Sequence, residues 1–184
     1  MQAARGTSLN ESDDTSSPES RMSAQRHIRL FVTVAVTAYL LDVVSKVVAV
    51  ELLTGRGPVD VVDGILQLRL TGNPGAAFSL GTNYTVLLSL VQLTVACAVV
   101  WLSRRIGSRL WALSLGLLLG GAVGNLTDRL LRDPGPLRGH VVDFLELPNW
   151  PVFNVADCAI VTAAVLIVLQ SMRGIRLDGS RAHP

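Results

Sequence analysis

Charged side chains are scarce in this sequence of 184 residues. They make up 16% of the chain, against about a quarter in ordinary soluble domains. Aromatic residues are also few, at 5%, whereas apolar residues reach 49% and the mean hydropathy is +0.45. The apolar residues are gathered into long blocks, a distribution typical of a membrane protein. A soluble globular core is therefore disfavoured.

The sequence also lacks a basic stripe and a cysteine framework. Its formal charge is only +2, and the basic residues lie at the ends of apolar blocks, which argues against a nucleic-acid-binding surface. The two cysteines, Cys97 and Cys158, lie in or beside apolar blocks, where a thiol usually behaves as a small hydrophobic group. Neither a disulfide framework nor zinc-binding spacing is present.

The first 25 residues contain few large apolar side chains and no apolar core of a secretory signal peptide. They are rich in Ser, Glu, Asp, Thr and Ala, a composition that cannot offset the entropy lost on ordering. We predict a disordered tail over residues 1–25, a membrane domain over 26–173 and a short cytoplasmic tail over 174–184.

Four apolar blocks are each near the ~20 residues that cross a bilayer. They span about 28–53, 85–102, 110–126 and 155–172. The predicted fold is therefore an α-helical membrane protein with four transmembrane helices. Within the loop that follows the first block, apolar and polar residues alternate from Gly64 to Leu70, which predicts a half-buried strand and a small extracytoplasmic β-sheet or loop region.

The distribution of arginine predicts the orientation. Arginines precede the first block, fill the short loop after the second and follow the fourth: Arg21, Arg26, Arg29, Arg104, Arg105, Arg109, Arg173, Arg176 and Arg181. By the positive-inside rule, both termini are cytoplasmic and the loops over 54–84 and 127–154 face outward. Five arginines in those outer loops weaken the contrast.

Several polar residues lie within or beside the apolar blocks. Asp42 and Lys46 are spaced to share one helix face and neutralise each other, either as support for a site or as a purely structural pair. Asn125 and Asp128 lie three apart after a glycine-rich stretch that permits close helix packing. Asp128 and Arg129 alternatively mark only the helix end. Charges this deep are costly and should face protein or a polar cavity.

Two acids lie at the predicted outer membrane edge. Asn154 is a natural helix N-cap, and Asp157 then falls in the first helical turn, where a carboxylate is favoured for structural reasons alone. That explanation does not cover Asp143, which sits between Val142 and Phe144 near the same edge. Two close carboxylates in a poorly hydrated pocket cannot both ionise readily, so one keeps a proton while the other acts as a base.

Five short motifs, in this order, resemble those of the lipoprotein signal peptidase family, also called signal peptidase II. The motifs are Asp42 with Ser45-Lys46, Asn73-Pro74-Gly75-Ala76-Ala77-Phe78-Ser79, Gly124-Asn125 with Asp128-Arg129, Val142-Asp143-Phe144, and Phe153-Asn154 with Ala156-Asp157. Each string is weak alone. Together they cover the chain from about residue 28 to residue 172.

The resemblance implies a membrane-embedded aspartic endopeptidase of the bacterial cytoplasmic membrane, active near the extracytoplasmic face. Its substrates would be diacylglyceryl-modified prolipoproteins, cut before the lipidated cysteine, with membrane lipid as a further partner. The family's catalytic pair matches Asp143 and Asp157. Support or substrate-binding roles fall to Asp42, Lys46, Asn73, Gly75, Asn125, Asp128, Arg129 and Asn154. The resemblance implies no metal or organic cofactor, and we predict a functional monomer.

Three other functions are weighed against this one. A metal-dependent protease would use His140 with neighbouring acids, although no paired-histidine helical motif is present. A serine or cysteine protease would need Ser79 or Cys158 beside a base. A small transporter or structural membrane protein would place charges deep in several helices, whereas here only Asp42 and Lys46 lie deep and the other acids gather at one edge.

Overall fold

The computed structural model describes residues 18–75 and 84–181. The chain forms helices α1 (Pro18–Leu53), α2 (Thr85–Ser103), α3 (Arg109–Leu131) and α4 (Val155–Met172), with strands β1 (Val59–Val62), β2 (Leu66–Asn73) and β3 (Val141–Glu146). The helices include four spans that are long and apolar enough to cross a membrane: Gln25–Leu53, Thr85–Ser103, Arg109–Leu131 and Val155–Met172. The predicted membrane fold is confirmed.

Helix α3 is the centre of the bundle, and its small residues explain why. It packs against α1, α2 and α4. A Cβ added at Gly120 would lie 2.6 Å from the Ala35 carbonyl oxygen on α1, and one at Gly121 would lie 2.6 Å from the Ala156 carbonyl oxygen on α4. Glycine therefore allows both backbones to approach α3 closely, as the glycine-rich stretch predicts.

Replacing Gly120 by alanine is expected to lower the free energy of unfolding by about 1–3 kcal/mol, because the methyl group overpacks a rigid backbone contact. Gly57 provides a matched control, since a Cβ there meets nothing within 4 Å. The Gly57→Ala change should stay within about 0.5 kcal/mol. Reversible unfolding in mixed micelles measures both, and equal effects would contradict close packing at Gly120.

The three strands form one antiparallel sheet in the order β1-β2-β3. In the sequence, β1 and β2 lie between α1 and α2, and β3 lies between α3 and α4. Strand β2 confirms the predicted strand over Gly64–Leu70, although it begins at Leu66 and continues to Asn73. Strands β1 and β3 were not predicted, because both are short and neither alternates regularly between apolar and polar residues. The pairing of β2 with β3 sets Thr71 opposite Asp143.

Each predicted tail includes a segment that the structure describes. Helix α1 begins at Pro18 and so includes residues 18–25, because extending an existing helix is far less costly than starting one. Residues 1–17 lie outside the described residues, as do 76–83, which contain the end of the second motif. The segment after α4 folds back on the α2–α3 loop, where Gly107 N–H donates to the Leu177 carbonyl over 2.9 Å.

Candidate active site

Lys46 is the centre of a buried charge cluster. Its ammonium, only 2% exposed, has three partners: the Asp42 carboxylate at 2.7 Å, the Asp128 carboxylate at 2.9 Å and the Asn125 amide oxygen at 2.9 Å. An ammonium has three donors, which matches the number of these partners. The second Asp42 oxygen accepts from the Ala156 backbone N–H over 2.9 Å. The predicted Asp42–Lys46 pair thus joins α1 to α3 and α4.

Two asparagine amides connect this cluster to the pair of acids predicted to be catalytic. The Asn125 oxygen accepts from Lys46 and from Asn154 Nδ2, and Asn125 Nδ2 donates to Asp157 Oδ1 over 2.8 Å. Asn154 Nδ2 also donates to Asp143 Oδ1 over 2.7 Å. Because these donors and acceptors are all used, the orientation of both amides is fixed, and with it the positions of the two carboxylates.

Asp157 is held at the start of α4 by a capping box. Asn154 is the N-cap and accepts from Asp157 N–H over 3.0 Å, while Asp157 Oδ2 accepts from Asn154 N–H over 3.2 Å. The predicted N-cap is confirmed. The same side chain still directs Oδ1 to Asn125, so its structural role and a place in the polar site coexist.

Asp143 lies on β3 and is almost completely buried, at 1% exposure. Burial raises the pKa of this carboxyl to about 6, and the nearby Asp157 charge adds to the shift. The Asn73 and Asn154 amides, which donate to its two oxygens, act in the opposite direction and lower the pKa. The result is an acid that titrates close to neutral pH beside a second carboxylate.

Asn73 is brought to Asp143 by strand pairing. At the end of β2 its Nδ2 donates to Asp143 Oδ2 over 2.8 Å, and its oxygen accepts from Gly75 N–H over 2.8 Å. Gly75 has a φ of +107°, a conformation that glycine adopts readily. The predicted residues Asn73 and Gly75 therefore form one turn that fixes the amide against the acid.

Arg129 is a buried cation, and two of its nitrogens have no hydrogen-bond partner among residues 18–75 and 84–181. Its side chain is 4% exposed, and Nε and Nη1 are buried without a partner. The guanidinium lies in the electrostatic field of Asp143, Asp128 and Asp157. Asp128 itself is occupied by Lys46, by Arg132 Nε and by the Val142 N–H. Arg129 therefore has two nitrogens available to donate hydrogen bonds near Asp143 and Asp157.

Some residues of this network were not predicted. Arg132, the C-cap of α3, bonds Asp128 four residues before it, a spacing that was visible in the sequence. The Ala156 N–H that binds Asp42 carries no sequence signal. Gly124 was noted only as a small residue, yet a Cβ there would clash with the Asp42 carboxylate.

The structure brings every predicted site residue into one connected region at one end of the bundle. Within the described residues, no group of three or more His, Cys, Asp or Glu side chains is arranged to hold a metal ion. His140 is exposed beside Gly72, and Cys158 is exposed on α4. Ser79 lies outside the described residues. Asp143, a buried acid with a raised pKa, lies near a second carboxylate, and amide donors fix both. Such a pair can activate a water molecule.

Comparisons with known proteins show which family this chain resembles. The family described as Signal peptidase (SPase) II matches residues 34–173. The lipoprotein signal peptidase of Mycolicibacterium smegmatis is 51% identical over 160 residues, covering 87% of this chain and 68% of that protein. The lipoprotein signal peptidase of Mycobacterium tuberculosis (strain H37Rv) is 50% identical over 153 residues, covering 83% and 76% respectively.

Two solved structures, both of a bacterial membrane enzyme determined by the in meso method, share the fold. The one at 1.9 Å resolution has a TM-score of 0.68 and 23% identity, covering 78% of this chain and 92% of that chain. The one at 2.3 Å has a TM-score of 0.67 and 22% identity, covering 84% and 93% respectively.

Proposed function

Since this chain belongs to the signal peptidase II family and is a membrane-embedded protease that removes signal peptides from prolipoproteins, we propose that Asp143 and Asp157 are its catalytic pair. The observation that carries the proposal is the Asn154 side chain. It donates to Asp143 Oδ1, while its oxygen and the backbone N–H of the same residue bind Asp157. One residue thus positions both carboxylates, as a two-acid mechanism requires.

In the proposed mechanism the pair shares one proton. The ionised aspartate removes a proton from a water molecule while the water oxygen attacks the scissile carbonyl carbon. The protonated aspartate donates a hydrogen bond to the carbonyl oxygen. The tetrahedral intermediate then collapses, and the departing amine takes a proton from the pair. The proton is assigned to the pair and not to either residue, as for any two interacting acids.

Arg129 is proposed to bind the substrate backbone. Its unpartnered Nε and Nη1 are the only buried guanidinium nitrogens without a hydrogen bond among the described residues, and they lie in the field of both acids. A peptide carbonyl is an acceptor that would satisfy them. The other polar residues of the site position the two aspartates, because most of their polar atoms already bind one another. These residues are Asp42, Lys46, Asn125, Asp128 and Asn154.

The proposed substrate is a diacylglyceryl-modified prolipoprotein, cut immediately before the lipidated cysteine. The location of the pair supports this: Asp143 lies just outside the helices and Asp157 in the first turn of α4, a depth suited to a bond at the membrane surface. We also propose that this end faces outward from the bacterial cytoplasmic membrane with both termini inside, and that the enzyme works as a monomer, since one chain supplies all the site residues named above.

The test is cleavage by the purified protein of a diacylglyceryl-modified prolipoprotein, with products identified by mass. The matched control is the same prolipoprotein without the diacylglyceryl group. We expect a signal peptide ending at the residue before cysteine, in the presence of a chelator, and little cleavage of the control. Cleavage elsewhere, or equal cleavage of both substrates, would refute the proposed substrate; loss of activity on chelation would refute the two-acid mechanism.

Asn73→Ala is expected to shift the pH profile. Burial raises the pKa of Asp143, one member of the pair, to about 6, so the pair should lose its shared proton, and kcat/KM should fall, as pH rises through about 6. Asn73 Nδ2 stabilises the ionised form. Without it the pKa rises, and the alkaline limb should move to higher pH. Gln67→Ala, a change on the same strand, is the control, and an unmoved or lower midpoint in Asn73→Ala would contradict the prediction.

A further inference from the structure

The bundle carries two adjoining apolar grooves, and neither is lined by an acidic residue. The first lies between α2 and α3 and has a volume of about 530 Å³. The second lies between α1 and α3 and has a volume of about 200 Å³. Both are lined by Leu119 and Val123, which are spaced four apart and form a ridge along one face of α3. The grooves therefore run on either side of a single ridge.

The first groove ends at a cation. Ala96, Val100 and Arg104 line it at four-residue intervals, so they follow one face of α2 and its immediate end over about 12 Å. The start of α2 is tied to the turn of the active site through Thr85, which donates to the Pro74 carbonyl. Arg104 consequently lies at the membrane surface opposite to the acids.

The arginines at this end of the first groove have no ion-pair partner among the described residues. Arg105 stacks over the Trp101 ring at 5.1 Å from its centroid, and Arg109 follows in the first turn of α3. Within residues 18–75 and 84–181, no carboxylate forms an ion pair with Arg104, Arg105 or Arg109. A membrane surface charge of this kind attracts anionic lipid headgroups.

We propose that this surface binds one two-tailed anionic phospholipid. Its phosphate-bearing headgroup contacts Arg104 and Arg105, one acyl chain lies along the α2 face of the first groove, and the other crosses the Leu119–Val123 ridge into the second groove. A second protein helix fits less well, because the first groove ends at Arg104 and the two grooves divide around a ridge. Neither groove is lined by Asp143 or Asp157.

Quenching of Trp101 fluorescence by brominated phospholipid tests the proposal. The protein carries Trp111→Phe and Trp150→Phe, so that only Trp101 reports, and is reconstituted in phosphatidylcholine vesicles. Increasing fractions of brominated phosphatidylglycerol or brominated phosphatidylcholine are compared. We expect phosphatidylglycerol to be preferred, and Arg104→Gln to lower that preference about fivefold, as attraction of one arginine to an anionic surface implies.

Arg173→Gln is the matched control, because Arg173 is exposed at the end of α4 and does not line the groove. It should leave the preference unchanged. Equal quenching by both lipids in the parent would overturn the proposal, as would an equal loss of preference in both arginine variants, which would show only a general surface charge. The melting temperature of each variant confirms its fold. The readout is independent of cleavage, so this proposal and the proposed peptidase mechanism fail separately.

Discussion

Replacing either Asp143 or Asp157 by asparagine is expected to lower kcat for prolipoprotein cleavage by about 10³-fold or more, within the range that a general acid or base contributes. Asparagine keeps the size of the side chain but can neither accept the proton from water nor return it to the leaving amine. The measurement is the single-turnover cleavage rate of each purified variant at saturating substrate.

Asp63→Asn is the matched control, since Asp63 is an exposed acid in the turn between β1 and β2. It should cleave at the rate of the parent. Asp157 also belongs to the capping box, so the melting temperature must show that Asp157→Asn is folded. A folded variant at either position that retains a rate near that of the parent would remove that residue from the catalytic pair.

Replacing Lys46 by methionine is expected to have the largest effect on stability, with a loss of about 3–5 kcal/mol in the free energy of unfolding. The ammonium binds Asp42, Asp128 and Asn125 in a site that is 2% exposed. Methionine leaves the Asp42 carboxylate buried without its cation and leaves Asp128 with Arg132 as its remaining ion-pair partner, which costs more than the lost attraction alone. Reversible unfolding in mixed micelles measures the change.

Arg69→Met supplies the comparison, because Arg69 pairs with Glu146 at 3.0 Å but is 54% exposed. An exposed pair contributes about 0–1 kcal/mol. Adding Asp42→Asn to Lys46→Met should restore part of the lost stability by removing the stranded charge. A loss in Lys46→Met no greater than that in Arg69→Met would show that the buried cluster does not hold the helices together.

The sequence was informative where contacts are local. The four-residue spacing of Asp42 and Lys46 predicted an ion pair that the structure contains, and the position of Asn154 before Asp157 predicted the cap. Helical periodicity and capping chemistry operate within a few residues, so single-sequence reasoning reaches them. The four membrane spans follow from length and apolarity alone.

The contacts that assemble the site join distant segments and could not be predicted this way. Lys46 meets Asn125 across 79 residues of sequence, and Asp42 meets the Ala156 N–H across 114. The pairing of β2 with β3 that brings Asn73 to Asp143 depends on a short strand in which apolar and polar residues do not alternate regularly. These contacts depend on how the helices pack, which motif spacing alone does not specify. Physical reasoning from the residues left open which of them lie together in one site. The resemblance of the motifs to a known family supplied that information.

The central claim is that the two aspartates form one catalytic unit, and the most direct test is the double variant Asp143→Asn/Asp157→Asn, measured beside both single variants with a chelator present. Residues that act as a unit lose most of their contribution when either is removed. We therefore expect the double variant to cleave no more slowly than the slower single variant. A double variant whose loss is the product of the two single losses would show that the residues act independently and would contradict the account.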